Sequence, residues 1–155
     1  MAYSALVALG FALNTRDKPG LLFAMMRTFA SDQSRIAFEG NLAGTELFRL
    51  VNASHEETGK LKRATIAPLL DFVVLPLLPT RVAEIEKAIR SKIAFTGYKG
   101  IIHVQIERQG EISFGAYDNF GQETVVVSGA ISKEALDDLV KNRILRSYSP
   151  ISPKL

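Results

Sequence analysis

Residues 101–116 read Ile101-Ile102-His103-Val104-Gln105-Ile106-Glu107-Arg108-Gln109-Gly110-Glu111-Ile112-Ser113-Phe114-Gly115-Ala116. Ile102, Val104 and Ile106 alternate with His103 and Gln105. Ile112, Phe114 and Ala116 then alternate with Ser113 and Gly115. A period of two is the mark of a strand with one buried face, and Gly110 in the link Arg108–Glu111 gives the backbone freedom a hairpin turn needs. These residues predict an antiparallel hairpin. On this reading His103 lies on the face opposite Ile102, Val104 and Ile106, as an exposed strand residue.

Working outward, Glu123–Ser128 is a strand built on Val125, Val126 and Val127. Ser132 caps a helix whose apolar face is Leu136, Leu139, Val140 and Ile144. Pro150 and Pro153 make the tail irregular. On the other side, Thr80 caps a helix carrying Val82, Ile85, Ile89 and Ile93, with Glu86 and Arg90 as a supporting i,i+4 pair, and residues 95–100 form a loop. Phe72-Val73-Val74-Leu75 reads as a short buried strand, because Pro68 and Pro76 exclude a helix through it. Arg35–Asn41 and Glu46–Val51 read as a second hairpin, turned at Gly44, and Asn52–Lys62 as the most exposed loop. Tyr3–Leu13 is an apolar strand ended by Asn14-Thr15-Arg16-Asp17. Pro19-Gly20 then opens a helix whose face is Leu22, Met25, Met26 and Phe29. Strands and helices mix without strict βαβ alternation, which predicts a single α+β domain over 1–155, its sheet mixed but largely antiparallel and its helices packed on one face.

Composition narrows the function. A chain of 155 residues, 47% hydrophobic and 23% charged, can build its own core. It has no cysteine, which excludes disulfides, thiolate metal sites and a cysteine nucleophile. Its two histidines, His55 and His103, are far apart, and the group His55, Glu46, Glu56 and Glu57 lacks metal-ligand spacing, so neither metal nor cofactor is expected. Nineteen basic residues against sixteen acidic ones give +3. They are interleaved and have no aromatic partners, so no nucleic-acid surface is expected. Ala5–Leu13 has no charged n-region before it, and Ile66–Leu78 is shorter than the ~20 residues of a membrane span. A cytoplasmic protein without a membrane partner is expected.

The turn Asp17-Lys18-Pro19-Gly20-Leu21-Leu22 is the local clue. Gly20 allows close approach of a ligand to the backbone. Unused N–H groups of Leu21 and Leu22, with the helix dipole, would favour a carboxylate or phosphate, while Asp17 can accept from an ammonium group. The simpler alternative is that Pro19-Gly20 starts the helix and Asp17 caps it. The segment resembles the D-x-P-G-L-L turn that opens ACT domains, small βαββαβ regulatory modules. Over residues 3–107 the resemblance implies a ferredoxin-like sheet with additions, an amino-acid-like ligand at Asp17, Pro19, Gly20, Leu21 and Leu22, and a homodimer. The expectation is therefore a small-molecule-binding regulatory domain without catalysis. An assembly subunit using the apolar stretch Ile66–Leu78 is the alternative. A small enzyme using Glu, Asp, Tyr or Lys, with His103 as its histidine, is the third reading; a cleft joining His103 to Tyr117 and Asp118 would favour it and a flat surface there would remove it.

Overall fold

The computed structural model describes residues 10–43, 45–90 and 100–151. Alternating and apolar runs give strands β1 (Phe11–Thr15), β2 (Ser34–Gly40), β3 (Asp71–Pro76), β4 (Ile101–Arg108), β5 (Glu111–Ala116), β6 (Val125–Val127) and β7 (Leu145–Pro150). Helices are α1 (Lys18–Phe29), α2 (Val82–Arg90) and α3 (Lys133–Lys141). The strands form one sheet in the order β3-β2-β4-β5-β6-β1-β7, and every pairing is antiparallel. This is the α+β class the pattern predicts. The readings of residues 3–9, Gly44, Ile93, residues 95–99 and Pro153 fall outside the described residues, as does the side chain of Arg90.

Two strand assignments are corrected. Residues 47–49, expected to pair with β2, form a single 3-10 turn that buries Leu47. The partner of β2 is β3, with Phe38 opposite Val73 and Glu39 opposite Phe72. Residues 145–150, expected to be irregular, form the edge strand β7 on β1. Pro150 is tolerated because it ends an edge strand, where its missing N–H breaks no central ladder. The ferredoxin-like arrangement implied by the resemblance would join β1 to the strands of residues 34–108. In this sheet β1 lies between β6 and β7.

All three helices pack against one face. Leu21, Leu22, Met25, Met26 and Phe29 of α1, Ile85 and Ile89 of α2 and Leu136 of α3 join Ile36, Phe38, Val104, Ile106, Phe114 and Val127 in the main core. Arg27 of α1 pairs with Glu86 of α2 at 2.8 Å. The second face holds a smaller apolar cluster of Ala37, Leu61, Phe72, Val74, Ile112 and Val126. Leu61 belongs to no strand. It arrives with residues 54–70, which start at the β3 edge, where Ser54 bridges Val74, and cross to β4. That crossing buries the face on which the candidate site lies.

Candidate functional site

On the second face the pleat sets polar residues in register. Glu39 is opposite His103, Ala37 opposite Gln105, and Arg35 opposite Glu107. An uncovered sheet would leave these groups in water. Here Glu39 is 2% exposed and His103 3%. His103 is therefore buried, contrary to the exposed placement expected from alternation, and the reason is the segment 54–70 lying over it.

Glu39, Gln105 and His103 each have a partner in that segment, while buried Glu107 pairs with Arg35 at 2.7 Å. The N–H groups of Ala64 and Thr65 donate to the two carboxylate oxygens of Glu39, at 2.7 and 3.2 Å. Gln105 closes a two-way link with Lys62, accepting from its N–H at 3.2 Å and donating to its carbonyl at 3.1 Å. His103 Nε2 lies 2.7 Å from Thr65 Oγ1. The guanidinium of Arg63 stacks 5.0 Å over Phe72 and donates to the Leu70 carbonyl. These bonds are part-buried, and those to Glu39 are charge-assisted, which holds the base of the segment on the sheet. Its apex is different: Ile66 is 90% exposed and Leu69 74%.

Tyr117 and Asp118 join His103 here. The Tyr117 ring lies 5.9 Å from the imidazole and folds over Gly115, where a Cβ would fall 2.8 Å from it. The N–H of Asp118 donates to His103 Nδ1 at 3.1 Å. That bond settles the tautomer: an amide can only donate, so Nδ1 is bare and the ring proton of neutral His103 sits on Nε2. Nε2 then donates to Thr65 Oγ1.

A hydroxyl 2.7 Å from an imidazole has the spacing of a nucleophile and its base. The tautomer runs the opposite way, because a base needs the bare nitrogen facing the hydroxyl. Two clefts among the described residues lie elsewhere. One of 760 Å³ is lined by residues that include Asp32, Arg35, Lys60 and Glu107. Another of 700 Å³ is lined by residues that include Phe29, Arg108 and Ser128. Neither includes His103, Glu39 or Thr65. Burial lowers the pKa of His103 below the usual 6.5, against the opposing pull of Glu39 and Asp118. A neutral imidazole matches its hydrogen bonds. The unfolded chain takes up this proton at higher pH than the folded one. The stability His103 contributes is thus complete above 6.5 and falls as pH drops through it toward the lower folded value.

The turn before α1 serves its own helix. Asp17 is the N-cap, its carboxylate accepting from the Gly20 N–H at 3.0 Å, a contact worth about 1 kcal/mol. The Leu21 N–H, expected to be unused, donates to the Asp17 carbonyl at 2.9 Å. The side chains of Leu21 and Leu22 are in the core, and Pro19 occupies the first turn. The N–H groups of Arg16 and Asp17 both donate to the Ile144 carbonyl, which docks the turn on the start of β7.

Among the described residues no cluster of metal-ligating side chains forms and no helix is long and apolar enough to cross a membrane. Comparison with protein-family models, curated proteins and solved structures finds no match for the chain.

Proposed function

We propose that this chain is a non-enzymatic assembly subunit that associates with a second copy of itself through the apex of the 54–70 segment. The observation that carries this reading is the exposure of Ile66 and Leu69 at the tip of a segment whose base is hydrogen-bonded to buried Glu39, Gln105 and His103. Single exposed aliphatics are ordinary on protein surfaces. Two large ones three residues apart, on a loop hydrogen-bonded to the sheet at its base, resemble a preorganised contact that loses little entropy on binding. The sheet edges are poorer routes to pairing. The β3 edge is bridged by Ser54. The β7 edge carries Arg146, Pro150 and a register irregularity, all of which discourage strand addition.

Light scattering over a concentration series tests the reading. The wild-type chain is expected to gain mass with concentration, and an Ile66→Ser/Leu69→Ser double variant to stay monomeric with unchanged thermal stability. The two side chains touch solvent, so their loss should cost the fold under about 0.5 kcal/mol. A wild-type chain that stays monomeric throughout sinks the proposal.

A second reading rests on the Asp17–Leu22 turn and its likeness to ACT domains. Under it a ligand carboxylate, such as that of an amino acid, binds beside Asp17, Pro19, Gly20, Leu21 and Leu22, and the chain is regulatory. The position of the turn between β1 and α1 and the exposed Asp17 favour it; the engaged Leu21 N–H makes it the lesser of the two. Calorimetric titration with an amino-acid panel is its test. Heat is expected with wild type and not with Gly20→Val, whose Cβ would fall 2.4 Å from the Asp17 carboxylate. No heat with any amino acid disposes of it.

A further inference from the structure

We propose that the turn Asp118–Phe120 is a pH-operated switch, latched by the imidazole of His103. Asp118, Asn119 and Phe120 have φ of 53, 58 and 57°. Three successive side-chain-bearing residues thus occupy the left-handed region, where Cβ crowds the following carbonyl. Asp and Asn tolerate this; an aromatic residue seldom does. Backbone of this kind persists only where the surroundings over-determine it.

The restraints are specific. The Asp118 N–H donates to His103 Nδ1 at 3.1 Å, the Asn119 N–H to the Ile102 carbonyl at 2.7 Å, and the Gly121 N–H to the Tyr117 carbonyl at 3.1 Å. The Phe120 ring is buried, its centroid 6.4 Å from that of Phe114. Carbonyl acceptors and apolar contacts do not change with pH in the physiological range. The imidazole does. Nδ1 accepts only while bare. A proton taken from solvent makes it a donor, so two N–H groups then point at each other and the latch opens. The acceptor available to the new N–H is the Asp118 carboxylate, which already acts on the ring electrostatically. On this proposal the turn leaves its left-handed conformation as that carboxylate replaces the backbone N–H.

The groups facing the ring define the range. Burial is the largest effect and opposes the charged form, while Glu39 from β2 and Asp118 from the turn favour it. Thr65 from the crossing segment and Tyr117 from the end of β5 complete the surroundings. Nε2–H keeps its contact with Thr65 Oγ1 in both states, so residues 64–65 stay in place while the turn moves. The inference does not depend on the assembly reading, because the latch acts on residues 118–120 and not on Ile66 or Leu69.

Proton–nitrogen correlation NMR of the full chain, from about pH 8 to about pH 5, is the test. The His103 ring nitrogens and the amides of Asp118, Asn119 and Phe120 are expected to shift on one curve with a midpoint below 6.5. The N–H to Hα couplings of Asn119 and Phe120 should leave left-handed values in acid, while the Ala64 and Thr65 amides hold still. His103→Asn, whose Oδ1 offers an acceptor that gains no proton, is expected to abolish the transition. Asp118→Asn should keep it at a lower midpoint, separating it from titration of Asp118 itself. A His103 ring that titrates while residues 118–120 stay unmoved overturns the proposal, as does a turn that moves identically in His103→Asn. If that variant does not fold, the two wild-type midpoints decide alone: coincidence supports the latch and disagreement overturns it.

Discussion

Replacing Glu39 with Ala is expected to destabilise the chain by about 2–4 kcal/mol and to free residues 54–70 from the sheet. Hydrogen bonds to a charged acceptor contribute about 1.5–3 kcal/mol each, and Glu39 accepts two, from Ala64 and Thr65. Both donors belong to half-buried residues, so water recovers part of the loss once the segment lifts, which sets the range below the simple sum. The cost of burying the carboxylate is also relieved in the variant, and this lowers the net loss further. Glu39→Gln retains one acceptor oxygen and places an amide N–H₂ where the other stood, so about half the loss is expected. Two measurements read this together. Urea unfolding gives the stability change. Limited digestion with trypsin reports the segment directly, because Lys60, Lys62 and Arg63 lie within it. All three should become fast cleavage sites in Glu39→Ala under conditions where the wild-type chain is cut slowly. A stability change under about 0.5 kcal/mol, with unaltered digestion, would mean that Glu39 does not pin the segment. The assembly reading would then lose its fixed base.

The contrast between the two faces of the sheet shows what a sequence reading reaches. The hairpin of β4 and β5 is legible because the alternation is local and Gly110 marks the turn. The faces of α1, α2 and α3 are legible for the same reason, since apolar residues three and four apart need only their own helix to be recognised. The second face is not. His103, Gln105 and Glu107 alternate with aliphatics as solvent-facing residues do, yet all three are buried, His103 and Gln105 under a segment that shows no period of its own. Thr65 and His103 are 38 residues apart, and nothing local pairs them. The choice of partner for β2 fails on the same ground. Residues 46–51 are nearest, yet the longer branched run of β3 offers a better ladder beyond the crossing segment. The available signal lies in combination: a histidine, a glutamine and two glutamates at inward strand positions, and a polar loop long enough to cover them. Tyr117 and Asp118 do converge near His103, the Asp118 backbone N–H making the hydrogen bond.

Gly40→Ala is expected to cost about 3 kcal/mol, far more than a single methyl on an accommodating strand. A Cβ at Gly40 would lie 2.1 Å from the Gly100 carbonyl oxygen and 2.9 Å from the Ile102 nitrogen. Both are backbone atoms, so no rotamer change relieves the overlap and the ends of β2 and β4 must separate. Overpacking of this kind costs roughly 1–3 kcal/mol, sometimes more. The Asn41 N–H also donates to the Gly100 carbonyl at 2.9 Å, and losing that bond adds about 0.5–1.5 kcal/mol. The register between the two strands already shifts between Glu39 and Gly40, so the displacement falls beside the carboxylate that holds the crossing segment. Gly59→Ala is the control, because a Cβ there meets nothing within 4 Å. It reduces the freedom of the unfolded chain by the same amount and should be neutral or stabilising by up to about 1 kcal/mol. Chemical denaturation of both variants separates the terms. Trypsin digestion of Gly40→Ala should also show faster cleavage at Lys60, Lys62 and Arg63, though less than in Glu39→Ala, since the carboxylate is displaced and not removed. If the two glycine variants are equally stable, the close approach of β2 to Gly100 is absent, and with it the reason that a glycine must follow Glu39.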